Sequence, residues 1–244
     1  MNCFLMGATG GLGRALANEL ARNQHRLYLV GRDAETLGAL SAELREEHGV
    51  DVDYVTADLA DFDPDQLAEN AVGTMGGLDA VIIASGLGDP DDNGSLDDSG
   101  VRRLLEVNMN GPVRLLNALS AHLADRPDTA VVVGIGSVAS VRGRGQNMAY
   151  AGAKSGLDTY FEALRHRLDG TACRVQFYRA GFMRTPMFGD RKSILPVARP
   201  ERVAEVIVRN LSRRSGTRYV PAWWVFPAIV LRWMPWAAFR RLSV

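Results

Sequence analysis

Gly7-Ala8-Thr9-Gly10-Gly11-Leu12-Gly13 decides how this chain folds, because of what stands on either side of it. The apolar run at residues 3–6 precedes it and reads as a short strand. Residues 12–23 follow it and read as a helix. A glycine-rich turn between a strand and a helix lets backbone N–H groups approach a pyrophosphate, and the helix N-terminus favours the negative charge. Gly7, Gly11 and Gly13 fit GxxxGxG, whereas Gly7, Gly10 and Gly13 fit GxxGxxG, and both spacings stay open. A glycine turn alone is unspecific, so its weight comes from this strand-to-helix context.

Working outward, the same alternation continues along the chain. Strand-like apolar runs recur at residues 26–30, 53–56, 80–84, 130–135, 174–178 and 218–220. Helix-like segments lie between them at 34–48, 64–72, 101–124, 146–168 and 200–213. Short continuous apolar runs suit strands buried on both faces of a parallel sheet. The alternation predicts a Rossmann-type, doubly wound α/β sandwich of three layers with about seven strands, mostly or wholly parallel. A chain of 244 residues fits one such domain spanning residues 1–244. Ligands of this fold sit outside the carboxyl ends of the strands. Residues 182–200, after the sixth strand, are therefore read as a substrate lid. The acidic turn-rich stretch Asp89-Pro90-Asp91-Asp92-Asn93-Gly94 is read as a solvated surface loop.

Composition narrows the class. Lys plus Arg equals Asp plus Glu, 28 against 28, so no global charge recommends nucleic acid as a partner. Cys3 and Cys173 make neither a CxxC nor a metal spacing and read as buried thiols, with no metal site expected. The first strand starts at residue 2 or 3 and leaves no room for a secretory signal, which points to a reducing, cytoplasmic setting. No run reaches about 18 uninterrupted apolar residues, as a spanning helix needs.

Chemistry concentrates at Tyr150-Ala151-Gly152-Ala153-Lys154, 13 residues after Ser137. A tyrosine and a lysine four apart share one helix face. The ammonium is expected to pull the phenol down from its ordinary value of about 10, so that it exchanges a proton with a substrate oxygen. Together with the glycine turn, this pair implies a nicotinamide-dependent oxidoreductase. The second strand ends at Gly31-Arg32-Asp33. An acid at its end would hold an adenosine ribose 2′-OH, whereas Arg32 can pair with a 2′-phosphate. Arg32, with Arg14 as a second positive charge, favours NADP(H), and Asp33 keeps NAD(H) open. Asp58-Leu59 can receive adenine, and a plain helix cap would look the same.

The glycine cluster, Asn108, Ser137, Tyr150 and Lys154 stand in the order and spacing of the classical short-chain dehydrogenase/reductase family, and the chain resembles that family from residue 3 to about 190 and more loosely to 220. The resemblance implies that Tyr150 is the general acid in reduction and the base in oxidation, and that Lys154 tunes it and bonds the nicotinamide ribose. It also implies that Ser137 donates to the reacting oxygen and that Asn108 supports a water chain from Lys154. Asn108 would equally satisfy an irregular helix. Gly86 is the surviving glycine of the family's motif after the fourth strand, which here is Ile83-Ala84-Ser85-Gly86. Two further departures are Ala180-Gly181 for the usual Pro-Gly and Gly136 for a common serine. Thr185 is expected either to bond the nicotinamide carboxamide or to cap a helix before Pro186. The expected activity is NADP(H)-dependent reduction of a carbonyl, or oxidation of a secondary alcohol. A non-catalytic dinucleotide-binding module and an epimerase using the cofactor transiently are the competing readings. The family forms dimers and tetramers through its two long helices, here 101–124 and 146–168.

All four tryptophans fall in the tail at residues 221–244, which three prolines and Arg232 interrupt. Such a tail packs over a pocket or a subunit interface, or lies as an anchor at a membrane interface. It is similar to the tail of reductases of polyprenyl-phosphate-linked keto sugars. That similarity implies a bulky, hydrophobic or lipid-linked carbonyl substrate.

Overall fold

A computed structural model describes residues 1–124, 129–189, 193 and 195–242. Seven parallel strands form one sheet in the order β3-β2-β1-β4-β5-β6-β7. They are β1 Asn2–Met6, β2 Arg26–Gly31, β3 Val52–Thr56, β4 Ala80–Ile83, β5 Val131–Ser137, β6 Arg174–Ala180 and β7 Gly216–Val220. The helices between them are α1 Gly11–Arg22, α2 Ala34–His48, α3 Pro64–Met75, α4 Asp98–Leu105, α5 Gly111–Ala124, α6 Met148–Arg167 and α7 Pro200–Arg209. Each strand-to-strand connection crosses a face of the sheet, as parallel pairing requires.

Alternating side chains supply the two cores. Cys3 and Leu5 of β1 face α1, α2 and α7, whose Leu16, Leu20, Leu40 and Ile207 close that layer. Phe4 and Met6 face the opposite layer of Ala68, Leu115, Leu119, Leu157 and Phe161 from α3, α5 and α6. Chemistry at the helix ends fixes the boundaries: Asp33, Asp63 and Asp97 cap α2, α3 and α4, and left-handed Gly49 and Gly76 end α2 and α3. Burial pushes the Cys3 thiol up to about 12 and Cys173 to about 11, so neither is a thiolate near neutral pH.

The chain begins mid-sheet at β1, builds outward to β3, then returns to β4 on the other side of β1. That reversal leaves a crevice between the carboxyl ends of β1 and β4. The segment expected as one helix at 101–124 is instead α4 and α5 joined by a π turn, Glu106–Asn110. The tail is more ordered than its prolines suggested. A short turn at Ala222–Trp224 leads into helix α8, Val225–Trp233, and the four-residue helix α9, Trp236–Phe239. Pro227 lies in the first turn of α8 and Pro235 just precedes α9, where a missing N–H costs no helical bond.

Candidate active site

The crevice opens into a cleft of about 550 Å³ that runs from the glycine turn to Tyr150 and Lys154. Gly7, Thr9, Gly10, Gly11, Leu12 and Gly13 form one end of it. Gly7 is left-handed, with φ +84°, and a Cβ there would lie 2.8 Å from the Ser85 backbone. A Cβ on Gly13 would lie 1.9 Å from the Gly7 carbonyl oxygen, and one on Gly11 2.8 Å from Thr185 Cγ2. At Gly10 the nearest atom is 3.4 Å away. The steric demand therefore follows Gly7, Gly11 and Gly13, which selects the GxxxGxG spacing. Helix α1 starts on Gly10 with no side-chain cap and no acid in its first turn. Its leading N–H groups have no helical partner, so the residues fit a dinucleotide pyrophosphate.

At the far end of the sheet, Arg32, Asp58 and Leu59 line the cleft. Two expectations change here. The Asp33 carboxylate accepts the Thr36 N–H at 2.7 Å as the cap of α2, and Arg32 rather than Asp33 lines the cleft. Arg14 of α1 is paired on the surface with Glu43 of α2 and does not line the cleft, so it supplies no second charge there. Asp58 caps no helix, since Asp63 has that role. It bonds Arg103 at 2.9 Å and the Ala60 N–H at 3.0 Å. Burial opposes ionisation of Asp58, and Arg103, the Ala60 N–H and Arg32 outweigh it, holding the carboxyl below its ordinary value.

At the other end, β5 delivers Ser137 and α6 delivers Tyr150 and Lys154. Lys154 is 3% exposed, and its Nζ donates to the Ser85 and Ile135 carbonyls at 3.1 and 3.2 Å. Burial pushes the Lys154 ammonium down to about 8. The Tyr150 phenol is raised by burial, and the Ser137 hydrogen bond pulls it only part of the way back. This corrects the expectation that Lys154 lowers it. The ammonium is directed at two carbonyls and lies 6.0 Å from the Tyr150 ring centroid, so desolvation of the phenol wins.

Asn108 is fully buried in the π turn. Its Nδ2 donates to the Leu87 and Leu104 carbonyls at 2.8 and 2.9 Å, and its Oδ1 accepts the Leu87 N–H at 3.1 Å. It satisfies the helix irregularity and ties down the segment after β4. Asn108 and Lys154 together fasten residues 85–87. Gly86 lies between them: a Cβ there would be 3.6 Å from Asn108 Oδ1 and 3.7 Å from Lys154 Nζ.

A family model described as short chain dehydrogenase matches residues 2–194. The chain belongs to the short chain dehydrogenase family. An uncharacterized oxidoreductase of Myxococcus xanthus is 32% identical over 194 residues, covering 79% of this chain and 76% of that protein. One from Streptomyces coelicolor is 30% identical over 245 residues, covering 99% and 95%. The solved alcohol dehydrogenase of the archaeon Thermococcus sibiricus, complexed with 5-hydroxy-NADP, shares the fold with a TM-score of 0.80 at 23% identity, covering 89% and 94%.

This short chain dehydrogenase holds its tyrosine helix in a way the sequence did not announce. Asp92, from the loop read as solvated, is 3% exposed. Its two carboxylate oxygens accept the Ala149 and Tyr150 N–H groups, each at 2.8 Å, and its carbonyl accepts the Met148 N–H at 3.2 Å. The local cap position, Asn147, is left-handed and gives no side-chain bond. Asp92 therefore caps α6 from 55 residues upstream of Asn147 and fixes the backbone of Tyr150 itself. An acid followed by a distant helix start carries no local signal, which is why it was missed.

One departure of this short chain dehydrogenase from its family, Gly136, has a packing cause, and so does the glycine it keeps at Gly181. A Cβ at Gly136 would meet the Phe177 ring at 2.4 Å, and one at Gly181 would meet Trp224 Nε1 at 1.8 Å. The indole of Trp224 thus lies on Gly181 and edge-on to Phe182, with centroids 5.0 Å apart. Thr185 starts a turn through Phe188 rather than a helix, and its side chain rests against Gly11. The Met183–Ala198 bridge joins the two ends of the expected lid, while residues 190–192 and 194 lie outside the described residues. Among the described residues no helix is long and apolar enough to cross a membrane.

Proposed function

We propose that this short chain dehydrogenase is an NADP(H)-dependent oxidoreductase that reduces a carbonyl, or oxidises a secondary alcohol, in the cleft. The observation that carries the proposal is one continuous wall bearing Ser137, Tyr150 and Lys154 at one end and the glycine cradle at the other. A bound nicotinamide would supply or receive the hydride. Gly7, Gly11, Gly13 and the start of α1 would hold its pyrophosphate. Arg32, exposed at the cleft edge, where among the described residues the Arg103-paired Asp58 is the one acid lining the wall, favours a 2′-phosphate. The solved fold relative with 5-hydroxy-NADP supports the same choice.

The chain's own residues then handle the proton. Tyr150, kept protonated at neutral pH by burial, donates its phenolic proton to the substrate oxygen as the carbonyl is reduced. Ser137 donates a second hydrogen bond to that oxygen and stabilises its developing charge. Lys154, mostly an ammonium below about pH 8 and fastened to the Ser85 and Ile135 carbonyls one turn from Tyr150, would bond the nicotinamide ribose. Thr185 serves the cofactor from the lid, residues 182–200, which belongs with the rest of 1–244 to one domain. Phe182, Met183, Met187 and Phe188 make the substrate end apolar and suit a bulky, hydrophobic or lipid-linked carbonyl. The two free buried thiols support a reducing, cytoplasmic setting. The family's habit supports a homodimer or homotetramer through α4–α5 and α6. Oxidation of NADPH against a panel of carbonyls, from small ketones to long-chain ones, tests the proposal. Turnover with some member is expected, and tight NADPH binding with no turnover on any would reject it.

A further inference from the structure

Helices α8 and α9 leave an apolar face uncovered. Phe226, Ile229, Val230 and Trp233 stand at i, i+3, i+4 and i+7 of α8, one stripe along the helix, and Trp236 of α9 extends it. All five are exposed, Phe226 at 70% and Trp233 at 79%. This is not a frayed end. Trp224, Ala228 and Phe239 are buried beneath it. Arg142 clamps it from below: its guanidinium donates to the Leu231 carbonyl at 2.6 Å and to the Met234 carbonyl, and lies 3.9 Å over the Phe239 ring. The stripe is therefore held outward by a fixed base. A contiguous apolar face on a soluble surface marks something that covers it.

Charge identifies the cover. Residues 225–242, which carry α8 and α9, hold three arginines and no aspartate or glutamate, in a chain whose formal net charge is zero. Arg232, Arg240 and Arg241 flank the stripe and are exposed. A second copy meeting this face by two-fold symmetry would oppose arginine to arginine. A phospholipid surface with anionic headgroups complements it, taking the aromatic rings at the headgroup boundary and the guanidinium groups at the phosphates.

We propose that the α8–α9 face docks this protein on an anionic lipid bilayer, lying in the interface without crossing it. The docked face borders the cleft, because Trp224 beneath it packs on Gly181 and Phe182 of the cleft wall. The proposal goes beyond the oxidoreductase reading and holds whichever cofactor the cleft takes.

Co-sedimentation of the full chain with vesicles tests it, comparing phosphatidylcholine alone with phosphatidylcholine mixed with phosphatidylglycerol. Binding to the mixed vesicles is expected, weakening as salt is raised. Trp233→Ser should weaken it about tenfold or more, from the loss of one inserted apolar side chain. Arg240→Gln with Arg241→Gln should weaken it about thirtyfold while leaving weak binding to neutral vesicles unchanged. Thermal melts of each variant, and NADPH titration without vesicles, separate loss of docking from loss of fold or of the cleft. A chain that stays in the supernatant with anionic vesicles, or a Trp233→Ser variant that binds like wild type, would overturn the proposal. So would a concentration-dependent dimer that Trp233→Ser abolishes, since a second copy would then own the face.

Discussion

Replacing Asp92 with alanine removes two acceptors from the start of the tyrosine helix. The Ala149 and Tyr150 N–H groups each donate to this carboxylate at 2.8 Å, and neither has another partner available from the cap residue, Asn147. A hydrogen bond to a charged group contributes about 1.5–3 kcal/mol, and loss of a helix cap costs about 0.5–2 kcal/mol. These describe the same group in overlapping ways, so Asp92→Ala should cost about 2–4 kcal/mol of stability. Asp92→Asn keeps one acceptor oxygen and should cost about half as much. The neighbouring Asp91→Ala, on an exposed side chain of the same loop, should stay within about 0.5 kcal/mol of wild type. Catalysis should fall further than stability implies. A displacement of about 1 Å at the reacting group costs about 100-fold, so turnover should drop by about one to two orders of magnitude while NADPH affinity holds. Urea unfolding gives the first quantity and initial rates with separate NADPH titration give the second. Asp92→Ala unfolding at the wild-type midpoint and turning over at the wild-type rate would refute the positioning role.

Other predictions follow from the same geometry. Burial lowers the folded-state pKa of Lys154 from 10.5 to about 8, so the unfolded chain binds more protons between those values and stability rises with pH there. Relative to Lys154→Met, wild type should gain about 2 kcal/mol between about pH 7 and about pH 9.5. Parallel stability curves for the two would contradict the buried ammonium. Arg32→Ala should raise the NADPH dissociation constant about tenfold or more, the worth of a charge-assisted contact to phosphate. It should leave NADH within a factor of about three, and an equal loss for both cofactors would show that Arg32 does not read the 2′-phosphate.

The fold was legible in the sequence where its causes are local. Continuous apolar runs such as Val131-Val132-Val133 fit a strand buried on both faces, and the turn at Gly7 to Gly13 fits its strand-to-helix setting. Ser137, Tyr150 and Lys154 were legible as a set, and the fold brings them to one cleft. Long-range contacts were not legible. Asp92 looked like any acid in a turn-rich loop, because its partners are the Ala149 and Tyr150 backbone. Arg14 and Asp33 looked like cofactor ligands, and Glu43 and Thr36 had already engaged them. The phenol's pKa was misjudged because residue spacing displays the nearby charge and hides the desolvation that opposes it. In the tail, Pro227 and Pro235 read as breaks. Helical order became visible only with Arg142, 89 residues before Leu231, tying down α8 and α9.

The central claim is that Tyr150 carries the proton in a cleft that binds the dinucleotide independently of it. Single-turnover reduction of a responsive carbonyl by wild type and Tyr150→Phe, at saturating NADPH measured by titration on both proteins, tests this most directly. The account predicts a rate lower by about two to four orders of magnitude with the NADPH dissociation constant within about twofold. A Tyr150→Phe enzyme that reduces the carbonyl at the wild-type rate would contradict it.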